Sequence, residues 1–206
     1  MSKAVWQSYF DEFLFELKAA GRAKRTMKDY RYHINRFFTT EGDCWPDGLR
    51  LAVRSHFADL IDSVSPATYN LRRQYLKAFF NWCVKEEILP KNPADSIPKQ
   101  KDEPKIRNID EKVIKALLNA PDQSTIAGLR DYALILLQLD TGIRPNEALS
   151  LLPEHLNLPA GQITIPMEIA KTRYSRTLAI SDTTNKAIRR LLEARHPAWN
   201  EQSPVF

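Results

Sequence analysis

Residues 90–108 read PKNPADSIPKQKDEPKIRN, with four prolines, many charges and little apolar content. Each proline lacks an N–H, fixes its own φ and pushes the residue before it out of helical geometry. No helix runs through such a stretch, and no central strand contains it. The 206-residue chain is therefore divided in two, and each half must bury its own core. Both halves are long enough to do so.

The half before the prolines has helical periodicity throughout. Residues 4–20 place Val5, Tyr9, Phe10, Phe13, Leu14 and Leu17 on one face, and Gly21 ends the run. Thr26 is the expected cap of a second helix carrying Tyr30, Ile34, Phe37 and Phe38, which stops near Gly42. A third apolar run covers residues 49–64. Ser65-Pro66 then starts a fourth helix, through Tyr69, Leu71, Tyr75, Leu76, Phe79, Phe80, Trp82 and Val84. Four amphipathic helices with short connections predict a small bundle over residues 1–93.

The second half changes period partway. Ile109-Asp110 is a plausible helix start, with Ile109 and Ile114 as a staple pair. Another apolar helix begins after Ser124-Thr125 and runs through RDYALILLQLDTGIRPNEALSL, residues 130–151. Its apolar face meets Thr141-Gly142, where glycine permits a helix end. Arg144 follows at once, and Pro145 opens a new short helix in which its missing N–H costs nothing. A guanidinium on a rigid turn beside free helix N–H groups suits an anion. Beyond Leu151 short alternating runs take over. Residues 155–158 and 162–166 are expected as strands, and 169–170 with 176–180 as a hairpin around a polar turn at 172–175. Asp182 is the expected cap of a last amphipathic helix. The prediction is a mainly α chain: a four-helix bundle, a basic proline-rich linker over 94–108, and an α+β domain with a small antiparallel sheet over 109–206.

The excess of positive charge sits in the first half. Residues 1–107 hold 19 Lys and Arg against 14 Asp and Glu, a net +5, whereas residues 108–206 hold 11 of each. Arg22, Lys24, Arg25, Lys28 and Arg31 gather at the start of the second helix. Arg72, Arg73 and Lys77 lie on the fourth, and Lys101, Lys105 and Arg107 in the linker. Such clusters are either solvated helix faces or contacts to the phosphates of a nucleic acid. Cys44 and Cys83 are isolated, as in a reduced cytosolic protein, and no Cys/His cluster suggests a metal. No apolar run approaches the ~20 residues that span a bilayer, and a cytoplasmic protein without membrane attachment is expected.

Taken together, Arg130-Asp131-Tyr132-Ala133, Thr141-Gly142-Ile143-Arg144 and Glu147-Ala148-Leu149 resemble the first conserved box of the tyrosine recombinase, or phage integrase, family. Residues 171–180, KTRYSRTLAI, resemble that family's hairpin with its lysine. The helical half resembles its core-binding domain, a SAM-like bundle, down to Asn92-Pro93 at the exit of the fourth helix.

The resemblance implies double-stranded DNA as the partner and a reaction that needs no cofactor. A tyrosine attacks a phosphodiester, giving a 3′-phosphotyrosine and a free 5′-hydroxyl. Arg144 would then hold the non-bridging oxygens, Lys171 would protonate the leaving oxygen, and Glu147, one helical turn on, would orient the site. Arg173 and Arg176 would serve as DNA backbone contacts. Members act as tetramers on paired DNA sites, and this chain is expected to be monomeric off DNA. The family's second box, His-x-x-Arg followed by the nucleophilic tyrosine, belongs after Val205-Phe206. None of Tyr9, Tyr30, Tyr32, Tyr69, Tyr75, Tyr132 and Tyr174 takes the nucleophile's place. The expectation is a polypeptide that binds DNA and does not cleave it. The alternative is a non-catalytic DNA-binding regulator with a recombinase-like fold.

Overall fold

Aromatic residues at helical spacing form the interior of the first half. Its helices are α1 (Val5–Ala19), α2 (Lys24–Glu41), α3 (Leu49–Ile61) and α4 (Pro66–Lys85). Phe10 and Phe13 of α1, Phe37 of α2, Phe57 of α3 and Phe79 and Phe80 of α4 are all buried. Trp6 stacks on Phe38 at 4.0 Å between ring centroids, and Phe10 meets Phe79 edge-on at 5.4 Å. Each such ring contributes about 1.5–3 kcal/mol by leaving water. Cys83 completes the α4 core face. Its burial pushes the thiol up to about 12, so it is an inert apolar filler.

Ser65 caps α4 as expected, its hydroxyl accepting the Thr68 N–H at 3.3 Å. The expected cap at Thr26 does not form. The turn after α1 closes with Arg22 N–H on the Leu17 carbonyl, Ala23 is the extended residue that follows, and α2 already begins at Lys24.

The structure describes residues 4–103 and 108–206 and divides into two units, 1–105 and 106–206. The first half of the stretch expected as a linker belongs to the bundle. Ala94 and Ile97 are buried, and Asn92 donates to the Lys77 carbonyl and to Asn81 while accepting the Ala94 N–H. Asn70 on α4 exchanges two 2.9 Å hydrogen bonds with the backbone of Gln100. Side-chain amides thus supply the partners that prolines deny to a regular ladder, and they strap residues 92–100 to α4.

In the second unit α5 (Glu111–Asn119) is capped by Asp110 but leaves Ile109 62% exposed, so the expected staple is not closed. The central helix α6 (Ile126–Thr141) buries Ala133 and Leu137 and packs against α8 (Asp182–Glu193) through Ala187, Ile188 and Leu191. Thr125 caps α6. Ser181, one residue before the expected Asp182, caps α8, because its hydroxyl accepts the Thr184 N–H.

The sheet is smaller than predicted. Pro153–His155 forms a 3-10 turn, and the strands are β1 (Leu156–Asn157), β2 (Gln162–Ile165) and β3 (Arg176–Ala179), antiparallel in that order. Residues 169–170 form no strand. The hairpin is β2–β3, with Ile163 opposite Leu178 and Ile165 opposite Arg176. Ile163 and Ile165 point into the core. Among the described residues no helix is long and apolar enough to cross a membrane, and no group of His, Cys, Asp or Glu is arranged to hold a metal ion.

Candidate functional site

The turn at the end of α6 is fixed residue by residue. Gly142 takes φ +64°, a left-handed conformation strained for any side chain, and its N–H closes on Gln138. The Thr141 hydroxyl donates to the Leu137 carbonyl and accepts the Ile143 N–H. Ile143 is buried, so the next residue must leave the core. That residue is Arg144, extended at the start of the short helix α7 (Pro145–Ala148), with its side chain 47% exposed. The helix end at Gly142 and the new short helix opened by Pro145 stand where the sequence places them.

Glu147 lies one turn later and is 1% exposed. Its Oε1 accepts the backbone N–H of Lys171 at 3.0 Å and Nη1 of Arg176 at 3.3 Å. Its Oε2 takes Arg176 Nη2 in the shortest contact of the group. Arg144 reaches the same carboxylate more loosely, at 3.4 Å from its backbone N–H and 3.4 Å from Nη1. The Arg176 guanidinium is the main cause that holds the Glu147 carboxyl at about 2. Burial opposes it, and the N–H groups of Lys171 and Arg144 add to it. One ionised carboxylate therefore gathers Arg144, the backbone of Lys171 and Arg176 into one place.

The 10-residue connection from β2 to β3 carries Lys171. Its root is pinned: Ala170 is buried and donates to the Pro166 carbonyl, and the Lys171 N–H is held by Glu147. Its tip is open. Lys171, Thr172 and Arg173 are exposed, Tyr174 is 78% exposed, and Arg173 turns the chain at φ +57°. Farther out, the Asp140 carboxylate accepts the Ser181 N–H at 2.7 Å, tying the end of α6 to the start of α8. The Val205 N–H donates to the Leu151 carbonyl on the other flank.

Arg176, expected as a DNA backbone contact, faces inward and commits its guanidinium to Glu147. Its strand register is the physical reason, because it stands opposite Ile165 on the core side of the sheet.

The expected clusters in the bundle separate. Arg22, Lys24, Arg25, Lys28 and Arg31 are all exposed at the start of α2. Lys24, Lys28 and Arg31 line a groove of about 560 Å³ with Lys18 and the exposed ring of Phe15, two residues that charge clustering in α2 did not single out. The α4 group forms no matching surface. Arg72 is only 9% exposed, its Nε and Nη1 buried without partners, beside the like charge of Arg36. Arg73 donates from Nε to the Ile97 carbonyl at 2.7 Å, and Lys77 pairs with Asp95 at 2.7 Å. Lys101 pairs with Glu103 at 2.6 Å, and Lys105 and Arg107 lie outside the described residues. His155 accepts the Leu152 N–H at its Nδ1.

Comparison with known proteins completes the description. Residues 107–206 match the phage integrase family. Tyrosine recombinase XerD of Ralstonia nicotianae is 26% identical over 149 residues, 70% of this chain and 48% of that protein. Tyrosine recombinase XerD of Listeria innocua is 30% identical over 197 residues, 91% of this chain and 65% of its own. The chain thus spans about half to two thirds of the length of these relatives. The fold is shared with a lambda integrase dimer bound to a COC′ core site, at a TM-score of 0.74 and 16% identity, over 96% of this chain and 74% of that one.

Proposed function

We propose that the chain is a member of the phage integrase family of tyrosine recombinases, that it binds double-stranded DNA and that it presents Arg144 and Lys171 to one phosphodiester. The observation that carries the reading is the division of roles around Glu147. A buried carboxylate holds the backbone under Lys171 and pairs with Arg176, while the Arg144 guanidinium remains half-exposed. A planar fork of N–H donors in that position matches two oxygens of a phosphate. Where negative charge builds on those oxygens during attack, a fixed guanidinium lowers the barrier by about 2.7–4 kcal/mol, by analogy with an oxyanion-hole donor.

The Lys171 ammonium would protonate the departing 5′-oxygen, a role that asks for a fixed root and a mobile side chain. The exposed basic start of α2, with Lys18 and Phe15 beside it, is the candidate contact to the duplex backbone. In the whole reaction a tyrosine oxygen bonds to phosphorus as the 5′-oxygen leaves with a proton. The exchange conserves the ester bond, so it needs no external energy source.

Residues 1–206 would by themselves bind and not cleave. Incubating this polypeptide with a nicked suicide duplex is expected to give no SDS-stable protein–DNA adduct, and an adduct would overturn that part of the reading. Binding itself is tested by fluorescence anisotropy of a labelled duplex against salt. Phosphate contacts make log K fall with log salt at about 0.9 per contact. Arg144→Ala should reduce that slope by about one contact. A flat salt response would leave the DNA reading without support.

A further inference from the structure

Two guanidiniums share one buried carboxylate at this site, and they share it unequally. Arg176 offers both Nη atoms to Glu147, one to each oxygen, from a strand held in register by β2. The Arg144 guanidinium makes only a long contact, from one Nη atom. The Arg176 side chain is 31% exposed and that of Arg144 47%. We infer that Arg176 is a positioning residue: it occupies the Glu147 carboxylate so that Arg144 stays turned outward and free for an external phosphate. The inference rests on the reading of Arg144 as the phosphate hook.

The physical argument is a competition. A carboxylate that is 1% exposed has no water to solvate it and takes whatever cation can reach. With Arg176 in place, one negative charge meets two positive ones, and the surplus charge sits on the more exposed guanidinium. Without Arg176, the remaining cation in contact is Arg144, three residues away and already at 3.4 Å. A small rotation of its side chain would close a bidentate pair with Glu147. That pair carries no net charge, and its fork faces the protein instead of solvent. Lysine cannot fully replace Arg176. Its single ammonium satisfies one oxygen at a time and leaves the other to draw Arg144 inward.

Arginine modification by phenylglyoxal, followed residue by residue by peptide mass mapping, reads this directly on the full chain without DNA. Arg22 in the bundle serves as the internal reference. In Arg176→Met the modification of Arg144 is expected to slow several-fold while Arg22 is unchanged. Adding Glu147→Gln in the same chain is expected to restore the wild-type rate at Arg144, because the attracting charge is gone. A merely structural role for Arg176 predicts no such rescue. Arg176→Lys, which keeps the charge and so protects folding, is expected to slow Arg144 to a lesser degree. The inference is overturned if Arg144 reacts at the wild-type rate or faster in both single variants. On a duplex, Arg176→Met should lower the salt slope by about one contact, as Arg144→Ala does, with no further loss when the two are combined. A flat salt response in the wild type would sink the DNA reading and leave the phenylglyoxal result standing, so the two failures are told apart.

Discussion

The strongest single prediction concerns Glu147→Gln and its dependence on pH. A carboxyl held at about 2 in the folded chain, against an ordinary 4.5, binds a proton less readily folded than unfolded. Its contribution to stability is therefore fully present above the unfolded value and is lost as pH falls through the folded one. The difference amounts to about 3 kcal/mol at pH 7, to roughly 1.5 kcal/mol at pH 3, and to nothing below about pH 1. Because Glu147 is 1% exposed, solvent screens this little. Glutamine keeps the shape, removes the charge, and turns an NH2 group toward donors that previously had an acceptor. The variant should be about 3 kcal/mol less stable than the wild type at pH 7, and the gap should close on acidification because only the wild type loses the interaction. Urea unfolding followed by residue-resolved amide NMR signals checks this. Leu137, Ile163 and Ile188 report the second unit, and Leu76 and Phe79 serve as the reference in the first. A gap below 1 kcal/mol at neutral pH, or one that stays constant down to pH 2, would refute the reasoning.

Three further outcomes follow from individual contacts. Arg72→Met should stabilise the first unit by about 1–3 kcal/mol, since a buried guanidinium with two unpartnered nitrogens gives way to an apolar chain of similar length; a lower melting temperature would mean that the cation has a partner. Gly128→Ala should destabilise the second unit by about 3 kcal/mol, because its Cβ would stand 1.9 Å from the Asp122 carbonyl oxygen in the turn that leads into α6; a thermal scan that matches the wild type would contradict this. Asp140→Ala should cost about 1 kcal/mol and speed amide exchange at Ser181, whose N–H the Asp140 carboxylate accepts, and unchanged exchange at that amide would show the tie to be idle.

The parts of this molecule that could be read in the sequence are those where one local rule decides. Ser65-Pro66, Thr125 and the Gly142-Ile143-Arg144-Pro145 turn each depend on a few adjacent residues, and each forms as expected. Charge alone points Arg72 outward, whereas helical phase does not. Tyr69, Arg72, Leu76, Phe79, Phe80 and Cys83 follow helical spacing along the buried stripe of α4, so periodicity places Arg72 inward. Arg73 and Lys77 take internal partners for a different reason. Their partners, the Ile97 carbonyl and Asp95, lie in the proline-rich strap, whose path no local pattern declares. Arg176 combines both difficulties. Its alternation with Leu178 signals an inward side chain, but its counter-ion lies 29 residues upstream on another element.

That distance explains why the site needs a buried acid at all. Arg144 belongs to a turn between helices, and Lys171 to a 10-residue connection with no ladder of its own. Backbone alone fixes the first and not the second. Two cationic side chains brought close together also repel, so packing by itself would tend to splay them. A carboxylate bonded to the Lys171 N–H, rather than to its ammonium, resolves both difficulties. It pins the connection at its root while leaving the Lys171 side chain free. The charge that this carboxylate introduces would then neutralise Arg144 unless a second arginine claimed it, and β3 delivers that arginine in register opposite Ile165. A site that must present positive charge outward is thus assembled around a negative charge that is already satisfied from within.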